Sequence, residues 1–393
     1  MIHRFNGKAI PELIVSGPGS RLGVVAELDR RDARKIVIVC GQRLRSGTPF
    51  VGELEAALGS RIAAVVDRVE ANTPVASVHR VVEHVAPLHP DAIISLGGGA
   101  VHDMAKAIAV MVPSGRSIVD FVSRFEPPST FHAVDVDVEP LPVLTVPSTF
   151  SAADVVGGGA VTDTVRGEKL IFVHPKLTPA GVFLDAEVVA TTPAAILAAS
   201  GMNAIHHCLE ACYSKGAQSI TDAIAMAALS GLLANLPFYS PSATPPTLAV
   251  HQAALNAASM SGLTYANSWL GIGHSVCHSL GGRYGLSHGL ANAVMVVHSA
   301  RFNFDAARPR LAYAARSVGV TDSNDEQAAA HALVSAIESL ADLLEMPKSL
   351  SAIGLPTGQF GQIARDVMGD PQTYWNPRTA HADEVEAWLE SIW

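Results

Sequence analysis

The first half of the chain alternates two hydrophobic periodicities. Residues 35–40, 62–66, 92–96 and 142–147 are short, nearly continuous apolar runs rich in Val, Ile and Leu. Runs of that length read as strands buried on both faces. Between them lie stretches such as 75–88, with apolar residues three and four apart, which read as amphipathic helices. Strand, helix and strand in repetition predict a largely parallel sheet with helices on its faces. From about Thr192 the pattern changes. Residues 194–214, 219–236, 247–268 and 325–344 are rich in Ala and Leu and keep helical spacing. Pro193 stands where a first helical turn begins. A chain of 393 residues is long for one core. The expectation is an α/β domain over residues 1–192, followed by an all-α domain over residues 193–393.

Composition narrows the classes. Hydrophobic residues make up 49% of the chain and charged residues 16%, which describes a globular protein with large buried surfaces. A net charge of −9 argues against nucleic acid or an anionic membrane as partner. The first six residues contain no apolar signal core, and the apolar run near 223–236 is too short and too rich in Ala to span a bilayer. Cysteines 40, 208, 212 and 277 are scattered and form no CxxC pair, so a four-thiolate zinc site is not expected. Cytoplasmic residence is the expectation.

Two loops suit a nucleotide. Gly97, Gly98 and Gly99 follow a predicted strand and open a helix that reaches Asp103. Glycines allow close backbone approach, and a helix N-terminus offers free N–H groups, so a diphosphate is the natural guest. Residues 146–154 end another strand in small hydroxyl residues, with Ser148 and Thr149 placed to hold a nicotinamide carboxamide and ribose. Gly17 to Gly23 resembles a dinucleotide fingerprint only superficially, because Pro18 occupies the loop; it reads as a turn, with a helix starting near Ser20.

The sharpest signal is a histidine constellation. His274 and His278 are four apart, on one helix face, and His288 returns after a Gly-rich turn. Upstream, Asn203 and His207 are also four apart. Two helices that each offer such a pair can build a metal or catalytic centre between them. His206 faces away from His207 and reads as structural, as does His298.

Together these residues resemble the iron-containing (group III) alcohol dehydrogenase superfamily over nearly the whole chain. The block from His274 to His288, continuing through Ala291 and Asn292 to His298, carries most of the resemblance. It implies an α/β dinucleotide-binding domain over residues 1–192, a helical metal and substrate domain over residues 193–393, and NAD(P)-dependent hydride transfer between a small alcohol and its aldehyde or oxo acid in the cleft between them. By motif position the family metal site maps onto Asn203, His207, His274 and His288, with Asn203 where the family has Asp. That exchange removes the one anionic ligand and weakens the hold on a divalent iron or zinc ion. The family's proton-relay histidine maps onto His278, with His207 and His274 beside it. Asn203 and the run from Cys277 to Gly282 also resemble the metal-independent maleylacetate reductase branch. A third reading is an NAD(P)-binding protein without turnover. Dehydroquinate synthases share the architecture, but the helical half offers few cations for a phosphorylated substrate.

Gly41 occupies the position where a family Asp would bind the adenine ribose and repel a 2′-phosphate. NADP(H) is therefore expected to be tolerated, with Arg43 or Arg45 meeting the phosphate. Arg283 is the nearest cation for an oxo-acid substrate. The resemblance further implies a homodimer.

Overall fold

A computed structural model describes residues 10–127 and 129–393. Ten strands are present among them: β1 (Leu13–Ser16), β2 (Ile36–Cys40), β3 (Ile62–Val66), β4 (Ala92–Gly97), β5 (Arg124–Glu126), β6 (Thr130–His132), β7 (Val143–Pro147), β8 (Gly158–Asp163), β9 (Glu168–Val173) and β10 (Gly181–Leu184). Six form one parallel sheet in the order β1-β10-β7-β4-β2-β3. The pairs β5–β6 and β8–β9 are separate antiparallel hairpins.

Alternation along each strand builds two cores. Val37, Val39 and Ile93 face the helix Gly99–Ser114 through Met104 and Ile108. Ile36, Ile38, Ile94 and Leu96 face the opposite layer, through Val24, Leu28 and Leu54. Strands β2, β4 and β7 are buried throughout, as expected for a sheet covered on both faces. The chain leaves β2 toward β3 on one side and returns to β4 on the other. That reversal opens a crevice beyond the carboxyl ends of β2 and β4, where open α/β sheets bind ligands. Register brings Cys40 opposite Leu96, and Gly97 opposite Pro147, so the three strand ends are level.

After β10 the chain is helical. The helix Ala194–Tyr213 is buried at every position from Leu197 onward. A helix enclosed on all sides carries its few polar residues into the interior. Here these include Ser200, Asn203, His206, His207 and Glu210. It packs against the helices Ser219–Asn235, Leu248–Ser268 and His288–Phe302. The helices expected over 194–214, 219–236, 247–268 and 325–344 end within a residue of those observed.

Two expectations need correction. The 223–236 run belongs to a longer segment, Ser219–Tyr239, of 21 residues with mean hydropathy 1.4, long and apolar enough to cross a membrane by length and composition. Its Ala225, Ala228, Leu229 and Leu232 pack inside the helical core. The Gly17 turn leads first into a 3-10 turn, Ser20–Leu22, and only then into the helix Gly23–Arg30.

Candidate active site

Strand β4 delivers the glycine loop to the crevice. Gly98 precedes the helix Gly99–Ser114 in extended conformation. A Cβ on Gly98 would lie 3.2 Å from Thr149 Cγ2, and one on Gly99 would lie 3.5 Å from Ser151. The loops after β4 and β7 thus pack edge to edge, locked by Ser148 N–H donating to Gly97 O at 2.8 Å. The hydroxyls of Thr149 and Ser151 are buried without a hydrogen-bond partner. Buried polar groups are normally satisfied, so orphaned hydroxyls beside an uncapped helix N-terminus fit a polar ligand such as a dinucleotide. Sequence reasoning named Ser148 and Thr149 and passed over Ser151.

Beneath this loop lies a charged network. Asp103 faces Gly159, where a Cβ would collide with its carboxylate. Burial raises its carboxyl, against the pull of the Lys106 and Lys169 ammonium groups. Lys106 donates to Ala153 O at 2.6 Å and Gly158 O at 2.5 Å, and burial pushes it down to about 8. Its role is to tie the helix to the loop after β7. Lys169 lies among Asp103, His288 and Asn72, a position that sequence spacing does not signal.

Three imidazoles from three helices meet on the other side, with Asn203 close by along the chain. Asn203 and His207 lie one turn apart on the helix Ala194–Tyr213. His274 comes from the helix Ile272–Tyr284, and His288 opens the helix His288–Phe302. Ring centroids are 5.0 Å apart for His207 and His274, and 6.1 Å for His274 and His288. Ser261 donates its hydroxyl proton to Ala258 O at 2.7 Å, so its oxygen accepts from His207 Nδ1–H at 3.3 Å. His274 Nδ1–H donates to Glu210 Oε2 at 2.6 Å. Both arrangements leave Nε2 as the free ring nitrogen. Burial lowers His274 to about 4 and holds His207 and His288 well below the usual imidazole range, so all three are neutral with lone pairs available. Asn203 Oδ1 and His274 Nε2 are buried without partners. Two orphaned acceptors among neutral imidazoles fit a cation.

A second cluster is tighter. Donor atoms of His206, Glu210 and His274 all lie within 4.8 Å of one another. Those atoms are already committed to each other and to the protein. His206 bonds Asn292 at 2.7 Å and Ser299 at 2.8 Å through its two nitrogens. Glu210 accepts from the N–H groups of Gly271 at 3.0 Å and Gly273 at 2.9 Å. This group supports the site from behind. Glu210 was missed from sequence, although one acid three residues past His207 in an apolar helix is a readable signal.

His278 reaches a cleft of about 600 Å³ that also meets Arg124, Lys169 and Ser275. Its Nδ1–H donates to Asp370 Oδ2 at 2.8 Å. Tyr265 packs against His207 with the rings tilted by 39° and their centroids 4.4 Å apart. The arginines singled out from sequence are engaged elsewhere. Arg43 bonds Thr191 O and, at 2.8 Å, Thr192 Oγ1; Arg45 pairs with Glu55 at 2.6 Å. Arg283 forms a two-point pair with Asp366, 2.8 Å at each nitrogen. Lys169 replaces Arg283 as the cation beside the histidines.

Comparison with known proteins identifies the family. A model of the Fe-containing alcohol dehydrogenase family, C-terminal part, matches residues 197–393, and one of iron-containing alcohol dehydrogenase matches residues 11–186. The chain belongs to the iron-containing alcohol dehydrogenase family and is an NAD(P)-dependent oxidoreductase of the alcohol–carbonyl class. It is 31% identical to 1-propanol dehydrogenase of Salmonella typhimurium, over 96% of this chain and 97% of that one. It is 29% identical to NAD-dependent methanol dehydrogenase of Bacillus methanolicus, again over 96% and 97%. Among solved structures, 1,3-propanediol oxidoreductase superposes with a TM-score of 0.90 at 25% identity, covering all of both chains. Maleylacetate reductase from Rhizobium sp. strain MTP-10005 gives 0.79 at 25% identity, covering 100% of this chain and 98% of that one.

Proposed function

We propose that this protein interconverts short primary alcohols and their aldehydes, with a divalent ion held by Asn203, His207, His274 and His288. The pair of orphaned buried acceptors, Asn203 Oδ1 and His274 Nε2, carries that reading. In this reading the α/β domain of residues 1–192 carries the cofactor loops and the helical domain of residues 193–393 carries the histidines, on facing sides of one cleft.

When bound, NAD(P)+ would take a hydride from the alcohol carbon, or NAD(P)H would return one to the carbonyl carbon, and zinc or iron would supply Lewis acidity toward the reacting oxygen. Gly97, Gly98 and Gly99, with Ser148, Thr149 and Ser151, receive the cofactor's diphosphate and ribose, and Asp103 lies beneath them. Glu210 and Ser261 fix two imidazole tautomers, so Nε2 of His274 and His207 face the reaction. Asp370 holds the proton on Nδ1 of His278. His278 Nε2 then takes the alcohol proton or returns it to the carbonyl oxygen. Tyr265 excludes water on the His207 side.

Gly41 adds no carboxylate at the end of β2, and a Cβ there would meet nothing within 4 Å. That open space supports acceptance of NADP(H) beside NAD(H). Strand β1 is a sheet edge with Ile14 exposed, which supports a homodimer. The four cysteines are free and buried, which supports a cytoplasmic enzyme.

Asn203 favours a second reading, the metal-independent reduction of maleylacetate. One experiment separates the readings: NADH and NADPH oxidation by chelator-treated and zinc- or iron-loaded protein, with short aldehydes and with maleylacetate. Turnover of aldehydes only after metal loading is the expected result. Metal-independent turnover of maleylacetate selects the second reading, and no turnover with any substrate leaves a nucleotide-binding protein.

A further inference from the structure

Three neutral imidazoles and an amide leave a dication with both its charges, inside a buried site. Directly bonded to one of those ligands is Glu210, whose side chain is fully buried. Its carboxylate accepts four hydrogen bonds: from the N–H groups of Gly271 at 3.0 Å, Gly273 at 2.9 Å and His274 at 3.3 Å, and from His274 Nδ1 at 2.6 Å. Backbone room is made for it. A Cβ on Gly271 would lie 2.9 Å from Glu210 Oε1, and one on Gly273 would lie 2.6 Å from His206 Nε2. The start of the helix Ile272–Tyr284, which its own N-cap Gly271 cannot cap, therefore closes around this acid, with Asn376 taking the Ile272 N–H at 3.2 Å. Nothing in capping a helix requires the short bond to the imidazole as well.

We propose that Glu210 is the charge-compensating positioning residue of the metal site, supplying through His274 the negative charge that Asn203 does not supply directly. This rests on the metal-site reading above and deepens it. Hydrogen bonding to a carboxylate makes an imidazole a stronger donor through its other nitrogen, and loss of such a partner typically weakens metal binding 10–100-fold. With an aspartate at position 203 the site would carry its own anion, and Glu210 would matter less. The two positions are thus coupled in a manner that capping alone does not produce.

The test is a double-mutant cycle read by zinc affinity, using competition with a chromophoric chelator, on full-length wild type, E210Q, N203D and N203D/E210Q. Thermal stability of each metal-free protein is measured alongside. E210Q is expected to weaken zinc binding 10–100-fold, and the same change made on N203D is expected to weaken it several-fold less. Equal losses in both backgrounds, or no loss in E210Q, overturn the proposal. Absence of zinc binding in the wild type overturns the metal-site reading itself. If E210Q does not fold, 15N-histidine spectra of the wild type replace it. The resonance absent from H274N must report a proton on Nδ1 with and without zinc; an Nε2–H tautomer overturns the proposal.

Discussion

His278 Nδ1 lies 2.8 Å from Asp370 Oδ2, across 92 residues of sequence. Asp370 is itself fixed: Ser275 Oγ donates to its other oxygen at 3.1 Å, and Gln372 N–H donates to that same oxygen at 2.8 Å. The imidazole is oriented from behind, as in other sites where a carboxylate selects the working tautomer. Two losses of different size follow. H278Q should lower kcat by about 10²–10⁴ with either coenzyme, the range for a proton-transfer group. D370N should lower kcat by a smaller factor, leaving coenzyme KM unchanged. Steady-state kinetics with a short aldehyde measures both, and an unaffected H278Q would remove His278 from the mechanism.

Position 41 sets a coenzyme prediction. G41D places a carboxylate at the end of β2 without a clash, since the site is open. It should cut kcat/KM for NADPH about tenfold or more while sparing NADH, because the acid repels a 2′-phosphate and accepts from a 2′-hydroxyl. Equal effects on both coenzymes would place the adenine ribose elsewhere.

At Gly98 the constraint is steric. An added Cβ meets Thr149 Cγ2 at 3.2 Å, on the surface assigned to the cofactor. G98A should raise coenzyme KM several-fold with a small change in kcat, since the loop reacts with nothing. Coenzyme titration by fluorescence checks it.

His102 predicts acid sensitivity. It is fully buried, bonded through Nδ1 to Ser95 at 2.8 Å, and lowered by desolvation to about 3 from 6.5. Its folded pKa is depressed, so the unfolded chain binds the extra proton first. Stability is intact above about pH 6.5 and falls as pH drops toward 3, with a slope of up to about 1.4 kcal/mol per pH unit from this one group. Chemical denaturation across that window measures the slope. H102Q should lose about one proton of it, and an unchanged slope would contradict the assignment.

Much of this was legible from the chain. Continuous apolar runs marked β2, β3, β4 and β7, because a sheet covered on both faces needs no polar alternation. The histidine pattern singled out His207, His274 and His288, whose rings the structure brings together. Strands β1 and β10 were missed: each is four residues long and is held by its neighbours rather than by its own pattern. The hairpins β5–β6 and β8–β9 were missed for similar reasons, their sequences mixing apolar and charged residues. Arg283 looked available only because its partner Asp366 lies 83 residues away. Glu210 stood out as a lone acid, but neither it nor Asp370 could be paired from sequence, because tertiary structure alone brings them to His274 and His278, 64 and 92 residues distant.

The account turns on where a metal ion sits. Anomalous diffraction from zinc-soaked crystals, recorded above and below the absorption edge, locates it directly. A single peak bounded by Asn203 Oδ1 and Nε2 of His207, His274 and His288 is the expected result. A peak among His206, Glu210 and His274 instead, or none at saturating zinc, would contradict it.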